Sequence, residues 1–383
     1  MRRLLLLVLL VLIPTPSTAL ADGCPLPCSG QSSSPPGSKL LYVQAEGPGG
    51  PMIAYDTRTR RPAFEFAPGI ASADGRVYFS AFPDRGRTRL LRWDVPTGAG
   101  AGSVRLPGKW EVEAVSASGG SIALVHRRSD RTTVQVFDFP HRQTTHVLRL
   151  RGDFEVEAIS PDGMHLFLIQ HLAQRRYLVR QYDLRYERLV ARPLRAPGVR
   201  LMAGYAWSGV ASRDGRWLLT LYLSTARQTA FVHSLDLERK RPACVNLPSG
   251  KGVFGELKRY SMTLAPRKRT LYAANPMLGV VAEVDLDRSR VVRVSRFQRA
   301  LKAPDAQRAA TLSTISRNSR TLYFSAGRDL WAYDAAYGLV RGPYPTSGRV
   351  VGIGYGAGDR RIYAVRGDGR MLAFNAATGA RID

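Results

Sequence analysis

The chain has 383 residues, 56 of them Lys or Arg against 30 Asp or Glu, which gives a net charge of +26. At 44% hydrophobic and 22% charged residues, the composition is that of an ordinary folded protein; it argues against a chain disordered throughout and against a multi-span membrane protein. The excess of positive charge therefore sits on a protein with ample length for a core, and its purpose is the first thing to explain.

Residues 1–21 read as a secretory signal peptide: Arg2-Arg3, an apolar run from Leu4 to Ile13, then Ala19-Leu20-Ala21. The run is too short to span a bilayer, which needs about 20 residues, and no later stretch of the sequence supplies a span. The plain leucine run after the arginine pair favours general secretion over twin-Arg export. A mature protein starting near Asp22, secreted or held at the cell envelope, is expected.

Residues 22–38 form a Cys-, Pro- and Ser-rich segment with Cys24 and Cys28; the third cysteine, Cys244, stands far away. An oxidising compartment permits disulfides, but three is an odd number. Pairing Cys24 with Cys28, or either with Cys244, leaves one thiol free. A lipid anchor on Cys24 would instead leave Cys28 and Cys244 to pair, although Ala21-Asp22-Gly23 departs from the usual lipobox. Both readings stay open.

From residue 39 to 383 one pattern recurs. A strand closing on Asp or Asn appears eight times, at Asp56, Asp94, Asp138, Asp183, Asp236, Asp285, Asp334 and Asn375, an average of about 46 residues apart, within the range of propeller repeats. A second landmark keeps step with it. Ser72-Ala-Asp74-Gly75, Ser160-Pro-Asp162-Gly163 and Ser212-Arg-Asp214-Gly215 each precede an apolar strand. Weaker copies begin at Ser34, Ser116, Ala265, Ser316 and Gly356. Asp-Gly between two apolar runs signals a hairpin, because Gly reaches positive φ without steric cost and Asp bonds back to its own turn. The repeating Asp is best explained in the same way, as an acceptor for loop amides. Helical periodicity is confined to Gln298 to Thr311, where Pro304 interrupts it.

Each unit thus predicts four short strands. The Leu-Tyr-Val strands, such as Leu41-Tyr42-Val43, the Ser-Pro-Asp-Gly turn and the Asp94-Val-Pro-Thr-Gly98 ending resemble the YVTN/TolB-like β-propeller repeats, related in architecture to WD40 repeats. The resemblance spans essentially the whole mature chain. It implies an all-β fold, a single β-propeller of four-stranded blades; the count favours eight blades, with seven and an irregular terminal segment as the alternative. Such propellers include binding scaffolds, lactonases, lyases and quinoprotein-type subunits, so the resemblance specifies a fold and not an activity.

Two consecutive units carry a matched acidic pattern where innermost strands are expected to begin: Trp110-Glu-Val-Glu-Ala114 and Phe154-Glu-Val-Glu-Ala158. Strand alternation would put Glu111 and Glu113 on one face, and Glu155 and Glu157 on one face. Four carboxylates at a channel mouth can bind a cation or supply a general acid and base; their bland reading is pairing with Arg and Lys in an arginine-rich chain. All six histidines (His126, His141, His146, His165, His171 and His233) fall in three adjacent units, without the short spacings of a metal site. No nucleophile elbow, phosphate-binding loop or dinucleotide fingerprint is present, and no cofactor is expected.

Arg58, Arg60, Arg61, Arg185, Arg188, Arg239, Lys240, Arg241, Arg288, Arg290 and Arg293 fall in or just after the turns that follow the Asp-terminated strands. Charges there guard outer sheet edges, or form an anion-binding belt. The expected function is that of an exported binding or interaction module for a protein, glycan or cell-wall polyanion. The alternatives are a propeller enzyme of the lactonase, lyase or hydrolase kind built on Glu111, Glu113, Glu155 and Glu157, and a polyanion binder acting through the basic rim. Export and the absence of a recognised motif argue against nucleic acid.

Overall fold

Each repeat closes on itself as an antiparallel meander in which strand order follows chain order. In the computed structural model, which describes residues 32–33, 39–44, 50–173, 176–199, 201–249, 254–266, 268–298 and 312–382, eight such sheets follow one another. They span 32–66, 70–107, 111–151, 154–203, 205–246, 261–296, 312–345 and 350–375, and are numbered here as blades 1 to 8. First strands of successive blades neighbour one another at most of the junctions, so they line a common axis. The chain is an eight-bladed β-propeller.

The two sequence landmarks have distinct structural jobs. In all eight blades the repeating Asp or Asn accepts backbone amides of the turn it opens, as in Arg58 and Thr59 to Asp56 (2.6 and 2.9 Å) and Ala377 and Thr378 to Asn375 (2.9 and 3.2 Å). Those amides hold the carboxyls of Asp56, Asp138 and Asp285 below the usual range. In the Ser-x-Asp-Gly hairpins the serine hydroxyl donates to the aspartate, 2.5 Å in both Ser72 to Asp74 and Ser160 to Asp162, and receives the amide that starts the next strand. Both kinds of turn lie at the same end of the ring, since Arg216 after one hairpin bonds Asp236 of the other turn at 2.8 Å.

The fourth residue after each repeating Asp or Asn is left-handed: Gly98, Gly338 and Gly379, but also Arg60, Arg142, Glu187, Lys240 and Ser289, with φ between 48° and 74°. Five of the eight turns therefore keep a side chain in a conformation that favours glycine.

The core is a set of layers between blades, each made of second and third strands of neighbours. Leu219, Leu221, Val232, Leu271, Ala273 and Val284, for example, pack blade 5 against blade 6. The tyrosines of the Leu-Tyr-Val strands, Tyr42, Tyr78, Tyr272 and Tyr323, are among the largest fully buried side chains.

Blade 1 takes its innermost strand, Ser32–Ser33, from the segment before residue 39, paired with Val43 and Tyr42. Blade 8 has three strands, extended by a single bridge between Phe374 and Arg381. Among the described residues no blade contains both ends of the chain. The ring closes instead by packing Leu41, Val43 and Tyr55 of blade 1 on Tyr363, Val365, Met371 and Ala373 of blade 8. Of the helical candidate Gln298 to Thr311, residues 299–311 lie outside the described residues; the described helix is one turn, Phe254–Leu257. No helix among the described residues is long and apolar enough to cross a membrane.

Candidate functional site

The innermost strands of blades 3 and 4, Glu111–Val115 and Phe154–Ile159, run along the axis from the mouth towards the hairpin end. Both are bulged. Val112 and Ala114 pair with the consecutive residues Leu124 and Ala123, leaving Glu113 as the extra residue; Val156 and Ala158 pair with Leu168 and Phe167, leaving Glu157. A bulge breaks side-chain alternation and re-aims the extra residue. The four carboxylates therefore do not form two matched pairs on shared faces. They take four different environments.

Glu111 stands at the mouth with its side chain 77% exposed, 3.8 Å from Arg127. Glu113, one turn of the strand deeper, is buried and held on two sides: the Arg127 guanidinium contacts Oε1, and the Val156 amide of blade 4 donates to Oε2 at 2.8 Å. Burial pushes its carboxyl up to about 7 against the pull of Arg127 and the amide, and the nearby Glu155 charge adds to the rise. Arg127 also has Asp153 of blade 4 at 3.7 Å. One guanidinium thus stitches two blades together at the channel mouth.

Glu155 meets the neighbouring strand of its own blade, with its Oε2 3.2 Å from Nε2 of His171. That hydrogen bond raises the His171 pKa above its ordinary value, burial opposing it. Glu157 is 1% exposed, and neither carboxyl oxygen has a hydrogen-bond partner among the described residues. Burial, and then the Glu155 charge, pushes it up to about 8. It points into a pocket lined by Ala73, Val115, Ala117, Ala211, Leu218 and Leu237, where hairpins of blades 2, 3 and 5 meet blade 4.

The remaining histidines serve structure. His141 bonds Asp138 at 2.9 Å in a turn, His126 lies edge-on to Trp110, and His165 bonds Gln181 at 3.1 Å. His233 is fully buried and held neutral by burial, its pKa lowered to about 4. No group of three or more His, Cys, Asp or Glu among the described residues is placed to hold a metal ion. Cys244 is half-buried on the outer strand of blade 5, its thiol pushed up to about 11 by burial; Cys24 and Cys28 lie outside the described residues.

Sequence reasoning missed Arg127 and Trp207, and named His171 among the clustered histidines without its partner Glu155. Trp207 is the bulge residue of blade 5 and bonds the Lys258 carbonyl at 2.9 Å beneath the Lys258 ammonium. Its one available signal was position: it stands third in its strand as Glu113 does, and Glu157 stands fourth.

No family model matches the chain, and no curated protein matches it in sequence. Among solved structures, the Dos1 propeller superposes with a TM-score of 0.57 at 8% identity, covering 94% of each chain. The likeness is one of fold alone. Hydrazine synthase of Kuenenia stuttgartiensis has a TM-score of 0.49 at 13% identity, covering 92% of this chain and 96% of that one. Dihydro-heme d1 dehydrogenase NirN in complex with DHE has a TM-score of 0.49 at 17% identity, over 84% and 66%.

Proposed function

We propose that the protein is an exported binding module whose propeller, of the YVTN/TolB-like repeat type its motifs resemble, scaffolds a charged recognition surface at the channel mouth. One observation carries this reading. The buried carboxylates at the mouth are already committed, Glu113 to Arg127 and a backbone amide and Glu155 to His171, which favours a fixed charged surface over a free acid-base pair. What remains open to a ligand is Glu111, Asp153 and the exposed part of His171. A partner with a small cationic group set among hydroxyls or amides, as in a peptide or an amino-sugar glycan, fits that surface.

The test is to probe arrays of peptides and cell-wall glycans with the mature chain and with Glu111→Lys and Asp153→Lys. Both changes fall at exposed positions and leave the core alone. A ligand whose binding falls at least tenfold in either variant supports the mouth. Binding indifferent to both, or turnover of a lactone or polysaccharide that Glu113→Gln abolishes, overturns it in favour of another surface or an enzyme.

A second reading rests on the rim. Arg58, Arg61, Arg185, Arg188, Arg239, Arg241, Arg288 and Arg290 are all exposed, which favours a belt for an anionic polymer. Retention on immobilised heparin that falls steeply with salt is expected, and falls further in Arg185→Glu/Arg188→Glu. Salt-insensitive retention would exclude it.

A further inference from the structure

The eight outer turns share a backbone and differ in what they display. Counted from the repeating Asp or Asn, arginine stands at both the second and the fifth position in blade 1, as Arg58 and Arg61, and in blade 4, as Arg185 and Arg188. No other blade has this pair. The third position is Thr59 in blade 1 and Tyr186 in blade 4. Blade 7 also has a tyrosine there, Tyr337, but Ala336 and Leu339 flank it. Two arginines around an aromatic ring therefore occur in the turn of blade 4 and in no other.

The fold brings these three side chains together. The Tyr186 amide donates to Asp183 at 3.1 Å, which fixes the turn, and the residue projects from it 61% exposed. The guanidinium carbons of Arg185 and Arg188 each lie 5.5 Å from the centre of its ring. Cation–π attraction of this kind restrains a long side chain and keeps its N–H donors available. Neither guanidinium is paired with a carboxylate among the described residues, whereas Arg288 in the turn of blade 6 is taken up by its own Asp285 at 2.9 Å. The outer strand of blade 4 is only Arg188–Leu189, and the loop after it carries Arg192 and Arg195, both exposed. Glu187 is the one acid in the sequence from 184 to 199.

This donor set selects among anions. A carboxylate presents two oxygens and one charge, and a single guanidinium satisfies both oxygens. A phosphate monoester presents three oxygens and about two negative charges near neutral pH, enough for two guanidiniums. Donors already held in place lose less freedom on binding it. We propose that Arg185, Tyr186 and Arg188 form a clamp for a phosphate monoester carried on a polymer, with Arg192 and Arg195 extending the contact along it. Tyr186 is a positioning residue, which holds the guanidiniums and need not touch the phosphate. The proposal rests on the reading of the rim as an anion belt and narrows that belt to one turn. Charge by itself would favour blade 1, which has Arg60 where blade 4 has Glu187.

The test measures binding of the purified chain to dextran phosphate and to carboxymethyl dextran, matched in length and total charge, by titration calorimetry at fixed salt. Tighter binding of dextran phosphate is expected. Arg185→Gln/Arg188→Gln should weaken it by about tenfold or more. Arg58→Gln/Arg61→Gln, the same loss of charge at the same turn positions, should weaken it by less than about threefold. Tyr186→Thr keeps every charge and installs the residue that the blade 1 turn already accommodates; it should weaken dextran phosphate by about threefold and leave carboxymethyl dextran unchanged. Tyr186→Phe should bind as the wild type does, and Thr59→Tyr added to Tyr186→Thr should restore part of the loss by building the clamp on blade 1. No preference for dextran phosphate, equal losses in the two arginine pairs, or no loss in Tyr186→Thr leaves a belt and overturns the clamp. A wild type that binds neither polymer overturns the belt and the clamp together.

Discussion

The Tyr323 hydroxyl of blade 7 donates across the blade boundary to the Ala376 carbonyl of blade 8, at 3.1 Å and fully buried. Tyr42 of blade 1 makes the equivalent bond to Val95 of blade 2. In both cases the acceptor is the residue after the repeating Asp or Asn, so the tyrosine of one repeat reads the turn of the next.

Tyr323→Phe leaves that carbonyl without its side-chain donor and is expected to cost about 1–2 kcal/mol in urea unfolding. Tyr363, whose ring packs in the blade 1 and blade 8 layer, makes no such bond in the structure, and Tyr363→Phe should be near neutral. Equal losses in the two variants would show that the hydroxyl bond is not what the motif preserves.

Arg127→Ala strips the guanidinium from buried Glu113 and is expected to destabilise the fold by about 3 kcal/mol, the scale for an uncompensated buried charge. Adding Glu113→Gln should recover part of that loss, because the stranded carboxylate is gone. Denaturant midpoints of the single and double variants decide it; simple additivity would mean that the two side chains do not act as a pair.

Glu157 makes stability depend on pH in a direction opposite to that of the turn aspartates. Its carboxyl is raised from 4.5 to about 8, so the folded state holds a proton that the unfolded chain releases. Its contribution is fully present below about 4.5 and is lost as pH rises towards 8. Glu157→Gln should therefore gain on the wild type by roughly 3–4 kcal/mol between pH 5 and pH 8. Melting curves at the two pH values test this, and a constant difference would show that the carboxyl is ionised in the fold.

At the seam between blades 8 and 1, a Cβ on Gly352 would lie 2.3 Å from a methyl of Val43. Gly352→Ala is expected to cost about 1–3 kcal/mol through overpacking, and Val43→Ala in the same chain should relieve it. Thermal unfolding of the three variants measures the rescue; a neutral Gly352→Ala would mean that the seam yields freely.

The ring was legible in the sequence because its information is local and repeated. Asp56 and its seven counterparts act on amides two or three residues away, and the Ser72 hairpin closes within five. The candidate site was legible by residue type and misjudged in geometry. Period-two alternation assumes an unbroken ladder, and bulges at Glu113 and Glu157 break it at the positions that matter. Arg127 and His171 sit on second strands, 14 and 16 residues beyond Glu113 and Glu155, and nothing local in the sequence ties them to those carboxylates.

The left-handed residues of the eight outer turns carry one more consequence. Where glycine occupies the position the turn presents bare backbone; where Arg60, Arg142, Glu187 or Lys240 occupies it, the same backbone presents a charged side chain. These positions recur at every blade on one end of the ring, so they form a circular array of equivalent display points whose chemistry can change without touching a strand. A long polymer with repeating charge would meet several of them at once, and its grip would then follow from their number and spacing rather than from the strength of any single contact.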